Sequence, residues 1–399
     1  ITYDLEMLNI INNAKRLGFS VNSVVITLYK NQPSVDKFIK RLERQNIKTY
    51  IHTYTKGYPT DVETIVSEEG YGANPYIETT KKLVLVNAPG PGSGKLATCL
   101  SQLYHEHKRG INAGYAKFET FPVWNLPLKH PVNIAYEAAT ADLKDINMID
   151  PFHLEKYNIN AVNYNRDVET FPILKNILHH ITGKDIYFSP TDMGVNMVGY
   201  CIKNNDIVEN AAKKEVVRRY FNELCNYKQG ISDFDTVQKI KLLMNELNID
   251  ENFLKVVEVS KKASEKKKTN VIALELPKGK IITGKQTDLL SPASSVIINA
   301  IKELSKIPDE INLLSPTILE PILKLRKNNN TLSLQEVLIA LAVCSVTNPS
   351  IASALEKLEV LKDCEAHATY IVTNGDLKAL KSLKINLTCE PNFYSKEIM

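Results

Sequence analysis

Three glycines within five positions, set between an apolar run and an amphipathic stretch, constrain this chain more than any other feature. Leu83, Val84, Leu85 and Val86 read as a strand. Residues 87–95 read as a turn ending in Pro89, Gly90, Pro91, Gly92, Ser93, Gly94 and Lys95, and residues 96–103 as a helix. Strand, glycine loop and helix in that order make a phosphate-binding loop. The glycines leave backbone N–H groups free to converge on an anion, the helix adds the positive end of its dipole, and Lys95 supplies a full charge. Leu96, Cys99, Leu100 and Leu103 recur at helical spacing, so one face can pack on a sheet while the first turn stays at the loop. Against the nucleotide-loop pattern G-x-x-x-x-G-K-[ST], Pro89 replaces the first glycine and Leu96 replaces the magnesium-ligating hydroxyl. Thr98, one turn on, or a carboxylate elsewhere is the candidate substitute. The competing reading is a glycine-proline turn with Lys95 solvated. It leaves unexplained a lysine in the first helical turn, which opposes the macrodipole unless an anion offsets it.

The residues before the loop alternate between helix and strand. Helices are expected at 4–16 and 34–45, and strands at 21–29, 47–55 and just ahead of the loop. Short connections between such elements imply a parallel, Rossmann-like sheet covered by helices, with ligands bound outside the carboxyl ends of its strands, where loop 90–95 lies. Because the chain opens on Ile1 and a helix, a preceding first strand is expected to be missing from it. The connection 57–80, carrying Gly57, Pro59, Gly70, Gly72 and Pro75, reads either as a lid or as an irregular surface excursion.

Composition bounds the class. The 399 residues, 44% hydrophobic and 24% charged, suit two or three domains of an enzyme-sized globular protein. Forty-nine basic against 45 acidic residues leave +4, too small and dispersed a charge to argue for nucleic acid. No run approaches the roughly eighteen apolar residues of a membrane span and no signal segment opens the chain, so a cytoplasmic location is expected. Cysteines 99, 201, 225, 344, 364 and 389 stand singly, which predicts reduced thiols rather than a disulfide framework.

Past residue 206 the pattern turns helical. Ile207, Ala211, Val217, Phe221 and Leu224 mark one apolar face, helices follow at 233–247 and 251–265, and the lysine-rich stretch 261–268 reads as a solvated helix end and linker. A hairpin is expected from 271–276 and 280–283, then helices at 293–305, 317–327, 333–345 and 350–361, and a strand at 367–373. The domains read as 1–190, a Rossmann-like domain with the glycine loop; 191–268, helical; and 269–399, a smaller α/β piece.

Three polar constellations add chemistry. Asp142 and Asp145, three apart on an expected helix, would share a face and hold a metal or act as acid and base, with His153 and Asp167 nearby. Arg166 offers a planar fork for a carboxylate or phosphate. In the second, Ser189, Pro190 and Asp192 make a helix start close to a capping box, which explains the motif without function, although Thr191 and Asn196 remain ligand candidates. In the third, Cys364 and His367 lack a second close pair to complete a zinc site. Glu365 and His367, alternating on a strand, would point to one side and suit proton transfer.

Several of these stretches resemble one family. Ile1-Thr2-Tyr3-Asp4, Gly57-Tyr58-Pro59-Thr60, Asn74 through Thr80, the run from Ala88 to Lys95, Phe118 through Pro122, His130 through Asn133, Tyr164-Asn165-Arg166-Asp167, Ser189 through Asn196 and Cys364-Glu365-Ala366-His367 resemble the bacterial domain-of-unknown-function 1846 family, also called UPF0371. The resemblance spans the whole chain. It implies a Rossmann-like amino-terminal domain, a helical insertion and a carboxy-terminal α/β subdomain similar in topology to cytidine deaminases, with relatives extending further at the amino terminus. It also implies that Pro89 and the non-hydroxyl residue at 96 are family traits. Some members carry an automatic label of ATP-dependent zinc protease, which fits poorly, because no H-E-x-x-H pair exists here. The deaminase signature H-x-E with P-C-x-x-C is likewise missing.

The resulting expectation is an enzyme that binds a phosphorylated ligand or nucleotide and performs phosphoryl transfer or hydrolysis. Gly90, Gly92, Ser93, Gly94, Lys95, Thr98, Arg166, Thr191 and Asn196 would bind, while Lys95, Asp142, Asp145, His153 and Asp167 would carry the chemistry, gathered in one cleft. Glu365 and His367 form a secondary site. ATP or another nucleotide with Mg2+ is the cofactor candidate, and a phosphorylated small molecule the partner, rather than nucleic acid or membrane, with homo-oligomerisation left open. The alternatives are a metal-free sugar-phosphate or nucleotide-sugar enzyme and a non-catalytic ligand-binding or regulatory protein.

Overall fold

Proline in the first turn starts six of the fifteen α-helices among the described residues: Pro33, Pro131, Pro151, Pro292, Pro316 and Pro349. Its fixed φ suits that position and its missing N–H is not needed there. Asp150, Ser291 and Asn348 also cap three of these, and Asp61, Asn204 and Asp233 cap three others, by accepting from backbone N–H groups. Local chemistry therefore sets most helix starts. The computed structural model describes residues 3–90, 92–118, 122–194, 196–325 and 331–394. Ile1 and Thr2, Pro91 of the loop, residues 119–121 and Val195 of the motifs, and the last two positions of the helix expected at 317–327 lie outside the described residues.

In chain order the elements are α1 (Asp4–Arg16), β1 (Ser23–Ile26), α2 (Pro33–Glu43), β2 (Lys48–Ile51), α3 (Val62–Ile65), α4 (Lys95–Lys108), α5 (Pro131–Ala139), β3 (Asn147–Ile149), α6 (Pro151–Tyr157), β4 (Val162–Tyr164), α7 (Asn165–Thr182) and α8 (Asn205–Lys228). There follow α9 (Phe234–Glu246), α10 (Lys255–Lys267), β5 (Val271–Glu275), β6 (Ile281–Lys285), α11 (Pro292–Leu304), α12 (Pro316–Lys324), α13 (Leu334–Ser345), α14 (Pro349–Glu356), β7 (Glu365–Ala368), α15 (Asn374–Ser382) and β8 (Asn386–Cys389). No helix among the described residues is long and apolar enough to cross a membrane. The chain divides into two units, Ile1–Pro127 with Asn147–Tyr200, and Leu128–Ile146 with Cys201–Met399.

In unit 1, β1 and β2 pair in parallel from Ser23 opposite Lys48 to Ile26 opposite Ile51, and α1 and α2 bury Leu8, Ile11 and Leu42 with Val24 and Ile47. A second core joins α3, α4 and α7 through Ile65, Tyr71, Leu100, Leu103, Phe171 and Leu178. The connection 57–80 belongs to this core and is no lid: Ile65 and Tyr71 are 0% and 1% exposed. Gly70 is required there, since a Cβ would lie 2.2 Å from the carbonyl oxygens of both Thr64 and Ile65. The strand expected at 83–86 does not form. Leu83 and Leu85 are 90% and 74% exposed, and among the described residues the parallel sheet stops at β1 and β2. An apolar run specifies what a segment can bury, while a ladder also needs a neighbouring backbone. β3 and β4 form a separate antiparallel pair.

Unit 2 carries a four-stranded sheet in the order β6-β5-β7-β8, antiparallel except for β7 with β8. Alternation along the strands separates two cores. Ile272, Leu274, Ala366 and Ala368 face α11, α13 and α14, while Ala273 joins the side chains of α8, α9 and α10. The segments read as separate domains at 191–268 and 269–399 thus contribute to one unit from residue 201 onward. The expected strand 367–373 is observed as Glu365–Ala368.

Candidate functional site

Among the described residues, loop 90–95 leads into α4 with a run of free backbone N–H groups. Gly92 and Gly94 take positive φ, +69° and +82°, which only glycine adopts without strain, and Gly94 caps the fourteen-residue α4. From Gly92 to Ala97 no backbone N–H donates to another described group, and Thr98, bonded to the Gly94 carbonyl at 2.9 Å, is the first that does. Ser93 Oγ donates to the Gly90 carbonyl at 2.6 Å, and Lys95 Nζ donates to the same oxygen at 3.1 Å. The loop sits beside the end of β1, where Thr27 Oγ1 donates to the Ser93 carbonyl at 3.1 Å.

The other expected site residues separate between the units. His153, Arg166, Asp167, Thr191 and Asn196 share unit 1 with the loop, whereas Asp142, Asp145, Glu365 and His367 belong to unit 2. Thr98 is 4% exposed in the first turn of α4, and Leu96, 40% exposed, carries no hydroxyl. Among the described residues no group of three or more His, Cys, Asp or Glu side chains is placed to hold a metal ion.

Asp167, in the first turn of α7, is gripped by Lys117, whose Nζ lies 2.5 Å from both carboxylate oxygens. Burial raises the pKa of Tyr115, and the Cys99 thiol and the Asp167 carboxylate add to the effect. Arg166 is exposed and Asn196 half-buried. Thr191 commits its hydroxyl to Asp150 Oδ2 at 2.6 Å, while Asp150 Oδ1 caps α6 through the N–H groups of Phe152 and His153. Ser189 and Asp192 form the reciprocal bonds expected of a capping box, each 3.1 Å, but the helix lasts one 3-10 turn, Thr191–Met193, because Gly194 is extended. His153 meets Ser189 Oγ at 3.0 Å and Asp192 Oδ1 at 3.6 Å through the same ring nitrogen, Nδ1. A serine-histidine-aspartate relay needs opposite nitrogens, so this cluster ties loops together.

The expected face shared by Asp142 and Asp145 is not formed. Asp142 is exposed on the one-turn 3-10 helix Ala141–Leu143, Lys144 then turns left-handed at φ +59°, and Asp145 is buried. Helical spacing fails because the helix ends between them. Glu365 and His367 do point to one side of β7, toward α8, where Glu365 Oε1 accepts from Arg218 at 2.7 Å and the His367 ring lies 4.7 Å from that of Phe221. His367 is 0% exposed and both nitrogens are occupied, Nδ1 by Thr388 at 2.8 Å and Nε2 by Glu390 at 3.1 Å. Burial lowers the His367 pKa against the pull of Glu390. Burial alone would raise Glu390, but His367 and Lys261 hold it below the usual range. With no face open to a substrate, this is an internal tie between β7, β8 and α10.

Sequence reasoning missed Thr27, Lys117, Tyr115 and His52. His52 follows β2 and is 4% exposed, and its Nε2 has no partner. Burial, with His105 nearby, pushes its pKa down to about 4. None of the four stands in a motif. Each matters through a contact distant in sequence, as Lys117 does with Asp167 fifty positions on.

Comparison with known proteins covers the chain from end to end. Residues 1–248 match the N-terminal part of the domain of unknown function DUF1846, and residues 252–399 match its C-terminal part. A UPF0371 protein of Clostridium botulinum (strain Alaska E43 / Type E3) is 55% identical over 412 aligned positions, spanning 100% of this chain and 82% of the relative. A UPF0371 protein of Clostridium tetani (strain Massachusetts / E88) is 53% identical over the same spans. The chain belongs to the DUF1846 family, the family of the UPF0371 proteins.

Proposed function

We propose that this protein binds a phosphorylated small molecule, a nucleotide being the leading candidate, with its phosphate in loop 90–95. One observation carries the reading: six successive amides, Gly92 to Ala97, donate to no described group at the start of a fourteen-residue helix, with the Lys95 ammonium folded over the same loop. Unpaired N–H groups and a helix dipole favour an anion, and charge-assisted bonds to phosphate are stronger than the neutral bond Lys95 makes to a carbonyl. An entering phosphate would thus take Lys95 from Gly90, while Ser93 continues to hold that carbonyl.

Phosphoryl transfer or hydrolysis is the reaction class this cradle suits, with Asp167 on α7, the helix packed against α4, as the candidate carboxylate and Lys95 meeting developing charge. The bidentate grip of Lys117 on Asp167 favours a second reading, binding without turnover, because a carboxylate so held is a poor base. Thermal shift with inorganic phosphate, pyrophosphate and ATP, with and without Mg2+, tests binding, and phosphate release tests turnover. Stabilisation that is lost in Lys95→Ala is expected. No stabilisation by any phosphorylated compound, or an undiminished response in Lys95→Ala, would overturn the reading.

A further inference from the structure

Thr27 is the first residue beyond β1, and its side chain touches the cradle twice. Its hydroxyl donates to the Ser93 carbonyl at 3.1 Å. Its methyl side covers Gly94 so closely that a Cβ there would lie 2.9 Å from Thr27 Cγ2 and 3.2 Å from Thr27 Cβ. One side chain therefore both holds the Ser93 carbonyl and packs against the left-handed Gly94 that opens α4. Carbonyl orientation matters here, because an oxygen facing the mouth would repel an anion as strongly as an N–H attracts it.

The backbone beyond Thr27 points the same way. Leu28 sits at φ +53°, a conformation that costs a bulky side chain roughly 1 kcal/mol or more. It is 50% exposed, so its own packing does not offset that cost. Such strain persists where surrounding structure demands a particular path, and it is concentrated at binding sites.

We infer that Thr27 is a positioning residue of the anion cradle, holding Ser93 and Gly94 so that the amides from Gly92 to Ala97 converge on bound phosphate. This rests on the phosphate reading and goes beyond it by assigning the loop's geometry to a residue 66 positions away in sequence. Thr27 touches no ligand itself. Its hydroxyl sets the carbonyl and its methyl sets the glycine, so the two halves of the side chain can be tested separately.

The test is pyrophosphate binding, by calorimetry, to the whole chain and to Thr27→Val and Thr27→Ser. Valine keeps the shape and loses the donor, and it is expected to weaken pyrophosphate binding roughly five- to tenfold, the worth of one hydrogen bond, with little change in the melting temperature of the free protein. Serine restores the donor and is expected to bind within about threefold of the parent. If the parent and Thr27→Val bind pyrophosphate equally, the inference falls and the phosphate reading stands. If the parent itself binds no pyrophosphate, both fall. Should Thr27→Val not fold, Thr27→Ser decides: pyrophosphate binding weakened more than about tenfold in a stably folded serine variant would mean that the hydroxyl is not what holds the loop, and the inference falls.

Discussion

Lys95 directs its ammonium at the carbonyl of Gly90 on its own loop, 3.1 Å away, where the Ser93 hydroxyl already donates. The lysine bond is thus the expendable one of the two. Lys95→Met is expected to leave stability within about 0.5 kcal/mol of the parent, since a half-buried side chain is lost without orphaning an acceptor. Phosphate affinity should fall at least tenfold, as a charge-assisted bond is removed. Urea unfolding and calorimetry with phosphate check the two halves. A large stability loss would make Lys95 a structural residue instead.

Gly94→Ala is expected to fail in the opposite manner. At φ +82° the left-handed conformation costs an alanine about 1 to 2 kcal/mol, and its Cβ would also press on Thr27 Cγ2 at 2.9 Å. Both stability and phosphate affinity should drop. Gly92→Ala provides the comparison, because a Cβ at Gly92 meets nothing within 4 Å, leaving the backbone cost alone. Equal losses in the two variants would show that contact with Thr27 is unimportant.

How much of this was legible in the sequence follows from the range of each interaction. α1 spans the expected residues 4–16, and the helices expected from 34, 293 and 317 start one residue earlier, at Pro33, Pro292 and Pro316, because helix starts are set by contacts within one turn. The start of α4 just after Gly94 was readable for the same reason, as glycine spacing acts locally. Residues 83–86 were misread because their apolar character is local but their ladder is not. Asp142 and Asp145 were misread because a left-handed Lys144 ends the helix, and nothing in a lysine announces that. Thr27 with Ser93, and Lys117 with Asp167, join residues 66 and 50 positions apart, which no motif encodes.

Stability should decline between pH 6.5 and 4. His52 has its pKa pushed down to about 4 in the fold against 6.5 when unfolded, so across that window the unfolded chain binds more protons and the fold is disfavoured as pH falls. Below about 4 both states are protonated and this contribution is constant. The loss has an upper limit of about 3 kcal/mol, since each tenfold difference in proton affinity between the two states is worth about 1.4 kcal/mol. His367, also lowered by burial, adds a change of the same sign. His52→Phe should flatten the decline in thermal melts at pH 7, 5.5 and 4. An unaltered decline would mean that His52 is not its source.

Thiol chemistry should single out Cys201. It is exposed, whereas burial pushes the pKa of Cys99 and Cys389 up to about 11 and that of Cys225 up to about 12, leaving almost no thiolate at pH 8. An aromatic disulfide reagent is expected to titrate Cys201 rapidly in the native protein, half-buried Cys344 more slowly, and the remainder only on unfolding. Mass spectrometry without reductant should find six thiols. Two or more defined native disulfides would contradict this.

The pair Arg218 and Glu365 should respond asymmetrically to mutation. Glu365 is 6% exposed, its Oε1 takes the 2.7 Å bond from Arg218, and its Oε2 is buried without a partner. Removing the arginine as Arg218→Met leaves a charged carboxylate in that site, with Lys214 at 3.9 Å its nearest remaining cation. A cost of about 2 to 3 kcal/mol is expected, below the full value for a buried pair because Arg218 retains some exposure. Glu365→Gln removes the charge that is expensive to bury and can still accept at Oε1, while Arg218 keeps Glu215 at 2.8 Å, so a cost of about 1 kcal/mol or less is expected. In the double variant the neutral amide no longer needs the guanidinium, and the combined loss should be smaller than that of Arg218→Met alone. Urea unfolding of the three variants measures the coupling. Additive losses would show that Glu365 is not held by Arg218, and that the tie between β7 and α8 depends on apolar packing around Phe221.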